Sequence, residues 1–324
     1  MLVKTLTWPE NCHKLFDYES TQFLSQSLII TESSVINREN NQISVYLLNT
    51  ILVNNLTLVS IHKSQKGFLI LSHNGSKLWK VTKDPLTNVL KEGQYLKFGR
   101  KTFKVKSLVK SLENAMILAN TNVLNVNCYD DETICRLCLT KNEENNPFVS
   151  PCGCKGSIKY AHIKCFQNYI RPHIIVSEKG KCVKYTVRNL MCEISKCKIS
   201  RKIIRDSFLF CCVDTKNAVP PYIILEYNDS KKDYSLYLIQ LNSINPIFKI
   251  GRSKTCDLSI KDPSVSRQHA QIIYNEPNFI IQDSSSKFGT LVSEKTIEFL
   301  PEDNELTLQV GKTLLSFTHD QVKM

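Results

Sequence analysis

The 324-residue sequence lacks the segments that carry a protein into or across a membrane. No apolar run approaches the ~20 residues that a membrane-spanning helix needs. The longest candidates, around 50–61 and 207–213, are broken by Asn or bounded by charge. The N-terminus has no signal-peptide layout. We therefore expect a soluble protein of the cytoplasm or nucleus.

The sequence also lacks a known nucleic-acid-binding motif, although its formal net charge is +12. The excess lies in residues 1–127 and 128–218, which carry +7 each, whereas residues 219–324 carry −2. The basic stretch 179–205 has no aromatic residue besides Tyr185. We interpret it as a solvated basic face, and we do not expect nucleic acid as a partner.

Thirteen cysteines are the most informative feature that is present. Eight potential metal ligands form four short pairs: Cys135/Cys138, Cys152/Cys154, His162/Cys165 and Cys192/Cys197. Zinc takes about four Cys or His ligands in a tetrahedron, and a short Cys-x-x-Cys turn supplies two of them. The pattern therefore predicts two zinc ions in a reducing compartment rather than a disulfide scaffold. Free, partly buried cysteines are the alternative.

The ligand order is four cysteines, one histidine and three cysteines, with seven residues between the second pair and His162. With its single-residue gap inside the second pair, this order resembles the RING-CH (RINGv) family; a PHD finger usually has a wider second pair. The resemblance implies a cross-brace, in which the first and third pairs hold one zinc and the second and fourth hold the other. Four residues separate Cys192 from Cys197, where the family has two, and Cys182 is the nearest spare thiol. One short helix is predicted from about residue 163 to 170, ending before Pro172.

Three motifs stand in a fixed order in the C-terminal region: Gly251-Arg252, Ser266-Arg267-Gln268-His269 and Ser286-Lys287-Phe288-Gly289-Thr290. They resemble a forkhead-associated (FHA) domain over about 219–318, a β-sandwich whose end loops bind phosphothreonine peptides. The resemblance implies a phosphopeptide site at Arg252, Ser266 and Arg267, with His269 bracing the loop from beneath. An arginine fork suits a phosphate group, which offers charge and three acceptor oxygens. Phe288 stands where the family often has an Asn that bonds the peptide backbone, so the alternative is a docking sandwich without a phosphopeptide site.

The N-terminal region repeats part of this pattern. Short strand-like runs separated by turn residues every ~8–12 residues indicate a sandwich or barrel. Ser76-Lys-Leu-Trp lies 23 residues before Gly99, and Ser286-Lys-Phe-Gly lies 25 residues before Gly311. This self-similarity suggests a degenerate FHA-like sandwich at about 23–107. The region has no Gly-Arg followed by Ser-Arg-x-His, so we predict no phosphate site in it.

The predicted fold is therefore mainly β and multidomain. Its segments are an N-terminal extension at 1–22, a β-rich and FHA-like domain at 23–110, a linker at 111–133, a RING-CH zinc finger at 134–200, a linker at 201–218 and an FHA domain at 219–324.

The RING-CH resemblance implies an E3 ubiquitin transferase that forms no covalent intermediate and has no catalytic residue of its own. Such a ligase holds a ubiquitin-conjugating enzyme and biases its thioester-linked ubiquitin toward a substrate lysine, which is catalysis by positioning. The family's contact positions fall on Leu137, Tyr169 and Lys198. We expect the FHA domain to recruit phosphothreonine-containing proteins. The alternative is a non-enzymatic, zinc-binding phosphopeptide adaptor or scaffold.

Overall fold

A computed structural model provides the structure of the chain. It describes residues 1–9, 22–50, 53–73, 75–83, 87–111, 130, 132–143, 145–187, 191–197, 199, 218–228 and 234–319. The predicted linkers, apart from their ends, and Lys198 lie outside these residues.

The described residues are mainly β, which confirms the predicted fold class. The strands are β1 Leu2–Thr7, β2 Leu24–Ile29, β3 Ser34–Glu39, β4 Gln42–Leu47, β5 Thr57–Ser64, β6 Gly67–Ser72, β7 Leu78–Thr82, β8 Thr87–Val89, β9 Tyr95–Phe98, β10 Lys101–Val109, β11 Phe148–Val149, β12 Ala161–His162, β13 Ile174–Lys179, β14 Cys182–Val187, β15 Tyr222–Asn228, β16 Tyr234–Gln240, β17 Ile247–Gly251, β18 Leu258–Ser259, β19 Ala270–Asn275, β20 Asn278–Asp283, β21 Thr290–Glu294, β22 Thr296–Phe299, β23 Glu305–Val310 and β24 Thr313–Thr318. The helices are α1 Ile163–Ile170 and the 3-10 turns Gly156–Lys159 and Arg171–His173.

The chain divides into two compact units. Unit 1 comprises Met1–Thr102, Lys249–Ile273 and Ile280–Met324, and unit 2 comprises Phe103–Phe248 and Tyr274–Phe279. The predicted segment boundaries stay a prediction. Residues 2–7, within the predicted N-terminal extension, form β1 between β2 and β24.

Unit 1 contains two β-regions that exchange their last strands. From the N-terminal region, β8 pairs with β20 and β9 pairs with β21. From the C-terminal region, β22 pairs with β6, β23 with β7 and β24 with β1. The exchanged strands lie in the two stretches that resemble each other in sequence, those beginning at Ser76 and at Ser286, whereas β7 and β21 of these stretches pair with each other. A strand pairs through backbone groups and its alternating pattern, so two similar segments can satisfy each other's neighbours.

Unit 2 builds the cysteine-rich region onto a sheet. The strands β13, β14, β16, β15 and β10 lie side by side in that order. A single core joins the sheet to the cysteine-rich region, and it includes Val109, Phe148, Phe166, Ile224 and Leu236, which are all buried. Burying β-strand side chains against the cysteine-rich loops provides the apolar area that such a small module lacks by itself.

Helix α1 has the predicted bounds. Its buried side chains, Ile163, Phe166 and Ile170, recur at helical spacing and face the core of unit 2. Pro172 has no backbone N–H and so cannot continue the helical hydrogen-bond ladder, and the chain goes on as a 3-10 turn.

Candidate metal centre and phosphate-binding loops

The first and third ligand pairs come together in unit 2. The ligand atoms of Cys135, Cys138, His162 and Cys165 all lie within 4.8 Å of one another. Nδ1 of His162 lies 3.2 Å from Sγ of Cys138 and 3.9 Å from Sγ of Cys165. The backbone N–H of Leu137 points to Sγ of Cys135 at 3.4 Å, as expected of a tight turn that presents two thiolates. Three thiols and one imidazole form a ligand set that zinc accepts.

His162 is held in one orientation. Nε2 of its ring lies 3.0 Å from the carbonyl oxygen of Lys141, so this nitrogen carries the proton and donates it. Phe148 stacks on the ring with a centroid distance of 4.7 Å. The protonated Nε2 leaves the Nδ1 lone pair directed at the three thiols, which is how a second partner prepares a histidine for a metal.

The second pair meets Cys192 in a separate cluster. The sulfurs of Cys152, Cys154 and Cys192 lie within 4.8 Å of one another, and those of Cys154 and Cys192 are 3.6 Å apart. Ligands from the first and third pairs thus alternate along the chain with ligands of the second and fourth. This interleaving is the cross-brace arrangement, and the two clusters could hold two zinc ions.

The fourth position of this second cluster is predicted to be Cys197, whose sulfur lies outside the 4.8 Å group. A tight turn, in which Cys192 N–H donates to the Cys197 carbonyl at 2.9 Å, brings it near. A β-carbon built on Gly153, between Cys152 and Cys154, would lie only 3.1 Å from Sγ of Cys197. Cys182 instead sits in β14, opposite Lys179 of β13. Cys197 as the eighth ligand stays a prediction.

Arg136 is a residue of this centre that the sequence analysis did not single out. Its Nη1 lies 3.4 Å from Sγ of Cys152, 3.5 Å from that of Cys154 and 3.7 Å from that of Cys192. A guanidinium beside several thiolates offsets part of their negative charge. The signal was its place inside the first ligand pair, from which it reaches across to the other cluster.

Each cluster contains one thiol that ionises easily. Hydrogen bonds from the side chain and backbone of Thr140 lower the pKa of Cys138 to about 6. Burial by itself raises the pKa of Cys192, but hydrogen bonds from Ser195 and Ile194 outweigh it and lower that pKa to about 6. Burial raises the pKa of Cys165 to about 12. Because zinc binds thiolates, Cys138 and Cys192 are the thiols best prepared to start metal capture.

The predicted conjugating-enzyme contacts differ in exposure. The side chain of Leu137 is 38% exposed beside the first cluster. Tyr169, in the last turn of α1, is partly buried and stacks on Phe166 at 6.0 Å. Other large apolar side chains of residues 134–200 that are exposed are Ile134, Leu139, Ile158, Ile175, Val176, Met191 and Ile194. The contact roles of these residues, and of Lys198, stay predictions.

The predicted phosphopeptide residues lie in adjoining loops of unit 1. Arg252 N–H donates to the Ser266 carbonyl at 2.9 Å, and Lys287 N–H donates to Oγ of Ser266 at 3.1 Å. The side chains of Arg252 and Arg267 are exposed and Ser266 is partly so. A β-carbon on Gly251 would lie 2.3 Å from the Arg267 carbonyl oxygen, so only glycine lets the two loops approach this closely.

A buried polar network supports these loops. His269 is fully buried, and its Nδ1 accepts a hydrogen bond from Ser266 N–H at 3.0 Å. Oδ1 of Asp283 accepts bonds from the hydroxyls of Ser286 at 2.6 Å and Thr290 at 2.8 Å. His269 therefore lies beneath the loop, as the resemblance implied.

Comparison with known proteins agrees with both assignments. A sequence model of the RING-variant domain matches residues 135–194, and one of the FHA domain matches residues 248–315. The chain is 41% identical over 51 residues to the ERAD-associated E3 ubiquitin-protein ligase DOA10 of Saccharomyces cerevisiae, covering 15% of this chain and 4% of that protein. It is 32% identical over 44 residues to human E3 ubiquitin-protein ligase MARCHF1, which covers 14% of this chain and 15% of that protein. It is 39% identical over 41 residues to the probable E3 ubiquitin ligase SUD1 of Arabidopsis thaliana, which covers 13% of this chain and 4% of that protein.

The chain thus spans only 4 to 15% of the length of these relatives. Within the residues that the structure describes, we find no helix long and apolar enough to cross a membrane. The domain assignments rest on the matched segments and on the interleaved clusters. The chain contains a RING-variant (RING-CH) domain at 135–194 and an FHA domain at 248–315.

Proposed function

We propose that this protein is a RING-type E3 ubiquitin transferase whose FHA domain recruits phosphothreonine-containing partners. The observation that carries the first half is the interleaving of the two ligand clusters within the RING-variant domain. The similarity of the RING-variant segment to E3 ubiquitin-protein ligases supports the same function.

The chain's own residues act by positioning. When bound, zinc supplies structure only, by holding four distant chain segments together. Leu137 offers an exposed apolar side chain for a loop of the conjugating enzyme, and Tyr169, in the last turn of α1, is the second contact. Holding the conjugating enzyme in one orientation lowers the entropic cost of the attack of a substrate lysine on the thioester. The lysine nitrogen forms an isopeptide bond to the ubiquitin carboxyl, and the thiol of the conjugating enzyme leaves.

The recruiting half rests on the loops around Ser266. The exposed guanidinium of Arg252 offers a multi-donor fork, and the hydroxyl of Ser266 lies on the adjoining loop. A phosphate carries about −1.5 to −2 charges at neutral pH, so a local cation matters more than the net charge of the domain. Phe288, partly buried beside Lys287, contributes an aromatic face instead of the usual amide. Because the ligand set requires thiolates, we propose that the protein works in a reducing compartment.

Reconstituted autoubiquitination with a panel of ubiquitin-conjugating enzymes tests the proposal. The zinc-loaded full chain should form ubiquitin chains or conjugates with at least one of them, and Leu137→Ala should reduce this while retaining both zinc ions. If zinc is bound and no conjugating enzyme supports transfer, the adaptor function replaces the ligase function. A phosphothreonine peptide library, compared with its unphosphorylated counterpart, tests the recruiting half separately.

A further inference from the structure

The sandwich in the N-terminal region has the strand order of the FHA sandwich. One five-stranded sheet of the FHA region runs β18-β17-β19-β20-β8, and its counterpart runs β4-β3-β5-β6-β22. In this correspondence β3 takes the place of β17, and β5 that of β19. The C-terminal end of β3 and the residues before β5 therefore stand where the FHA sandwich carries Arg252 and Ser266.

One backbone hydrogen bond makes the correspondence specific to single residues. Arg252 N–H donates to the Ser266 carbonyl at 2.9 Å, and Arg38 N–H donates to the Leu56 carbonyl at 2.9 Å. Arg38 thus occupies, in the N-terminal sandwich, the position that Arg252 has in the FHA sandwich. The sequence does not reveal this because Asn37 stands in place of Gly251 and Leu56 in place of Ser266.

A cavity of about 520 Å³ opens at this end of the N-terminal sandwich. The described residues of its lining include Arg38, three asparagines, His73 and Ser76, and none of them is acidic. Four chain segments contribute: the end of β3 with its turn, the residues before β5, the residues after β6, and the turn at Gly311 between β23 and β24. These segments are the counterparts of the loops that flank Arg252.

The guanidinium of Arg38 is fixed in position by two hydrogen bonds. Its Nη2 lies 2.8 Å from the Trp8 carbonyl oxygen and 2.8 Å from Oδ1 of Asn41. Burial, and secondarily the charge of His62, lowers the pKa of His73, so this ring is neutral near pH 7. Arg38 is therefore the cation of the cavity, and the asparagines supply further N–H donors.

We propose that this cavity is a second anion site, which binds an oxyanion of the phosphate class. The occupant is either a phosphorylated side chain or free phosphate, since both present the same oxygens and charge. The proposal departs from the prediction that the N-terminal sandwich has no phosphate site. It does not depend on whether the Arg252 loops bind a phosphopeptide.

The test uses the zinc-loaded full chain labelled with ¹⁵N at its nine arginines. Inorganic phosphate and, separately, a phosphothreonine peptide library are titrated while the arginine amide signals are followed by NMR. Arg38→Lys and Arg252→Lys each remove one signal and so assign the two. We expect the Arg38 signal to move with phosphate in wild type and in Arg252→Ala. Movement with the peptide, and not with inorganic phosphate, would identify a phosphorylated side chain as the ligand.

Two further variants separate binding from folding. Asn55 is exposed and lines the cavity, so Asn55→Asp should abolish the shift by repulsion. Asn49 is exposed and lies outside the described lining, so Asn49→Asp is the matched control and should leave the shift unchanged. Arg38→Ala should weaken phosphate binding by about 10- to 100-fold.

The outcomes distinguish this site from the FHA site. If the Arg252 signal alone responds, the second site is refuted and phosphopeptide recruitment stands. If the Arg38 signal alone responds, the second site stands and recruitment by the FHA loops fails. A shift of the Arg38 signal that persists in Asn55→Asp would place the anion elsewhere and overturn the proposal.

Discussion

Arg136→Met should loosen one zinc site and leave the other intact. Nη1 of Arg136 lies 3.4–3.7 Å from three sulfurs of the second cluster. The first cluster contains Cys135, which precedes Arg136 in the chain, but the guanidinium is directed at the second cluster. Outer partners of metal ligands are typically worth about 10- to 100-fold in metal affinity. Because a cation opposite three thiolates is at the strong end of such contacts, we expect a loss in this range at the second site. Its backbone N–H bond to the Tyr160 carbonyl, at 3.0 Å, does not involve the side chain and should survive.

Cobalt substitution distinguishes the two sites, because the predicted ligand sets differ in their number of thiolates. Chelator competition followed at the two absorption bands should show faster release from the all-cysteine site in Arg136→Met. Lys155→Met is the matched control, since it removes an exposed cation directly after a ligand of the same cluster. Equal weakening of both sites, or no change at either, would refute the role assigned to Arg136.

Three further predictions concern the ligands and loops. Cys197→Ser should release one zinc and Cys182→Ser none, as counted by metal analysis of the pure protein; the reverse result would assign the eighth ligand to Cys182. Arg252→Ala should weaken phosphothreonine-peptide binding by about 10- to 100-fold with little change in melting temperature, and Ser266→Ala should weaken it less, because one neutral hydroxyl is lost. In the folded protein the pKa of Cys138 and that of Cys192 are lowered to about 6. Their thiolates therefore stabilise the fold fully above the pKa of the unfolded chain, and this stabilisation is lost as the pH falls through about 6. Zinc content at a fixed chelator concentration should therefore drop between about pH 7 and about pH 5, and a zinc content that does not vary with pH would contradict this.

The zinc region was the part most accessible to sequence reasoning. Metal ligands must be Cys or His at short spacing, so Cys135, His162 and their partners carry their chemistry in the sequence itself. Helix α1 was predictable as well, because its apolar spacing and Pro172 are local signals. Arg136 was missed because its role depends on a distance across the fold and not on spacing along the chain.

The exchange of strands could not be derived from the sequence. An alternating strand pattern reports which face is buried and does not report which neighbour supplies the hydrogen bonds. The similarity between the stretches that begin at Ser76 and at Ser286 was visible, but it is equally compatible with two separate sandwiches. Arg38 was hidden for a related reason, since a backbone hydrogen bond, and not a Gly-Arg motif, places it opposite Leu56.

The discharge of ubiquitin from a loaded conjugating enzyme onto free lysine tests the central claim most directly. The assay needs no substrate, so it measures positioning of the thioester alone. The zinc-loaded full chain should accelerate discharge, and Leu137→Ala should lose most of the acceleration while both zinc ions remain bound. Discharge at the same rate with and without the protein, for every conjugating enzyme that binds it, would contradict the assignment as a ubiquitin ligase.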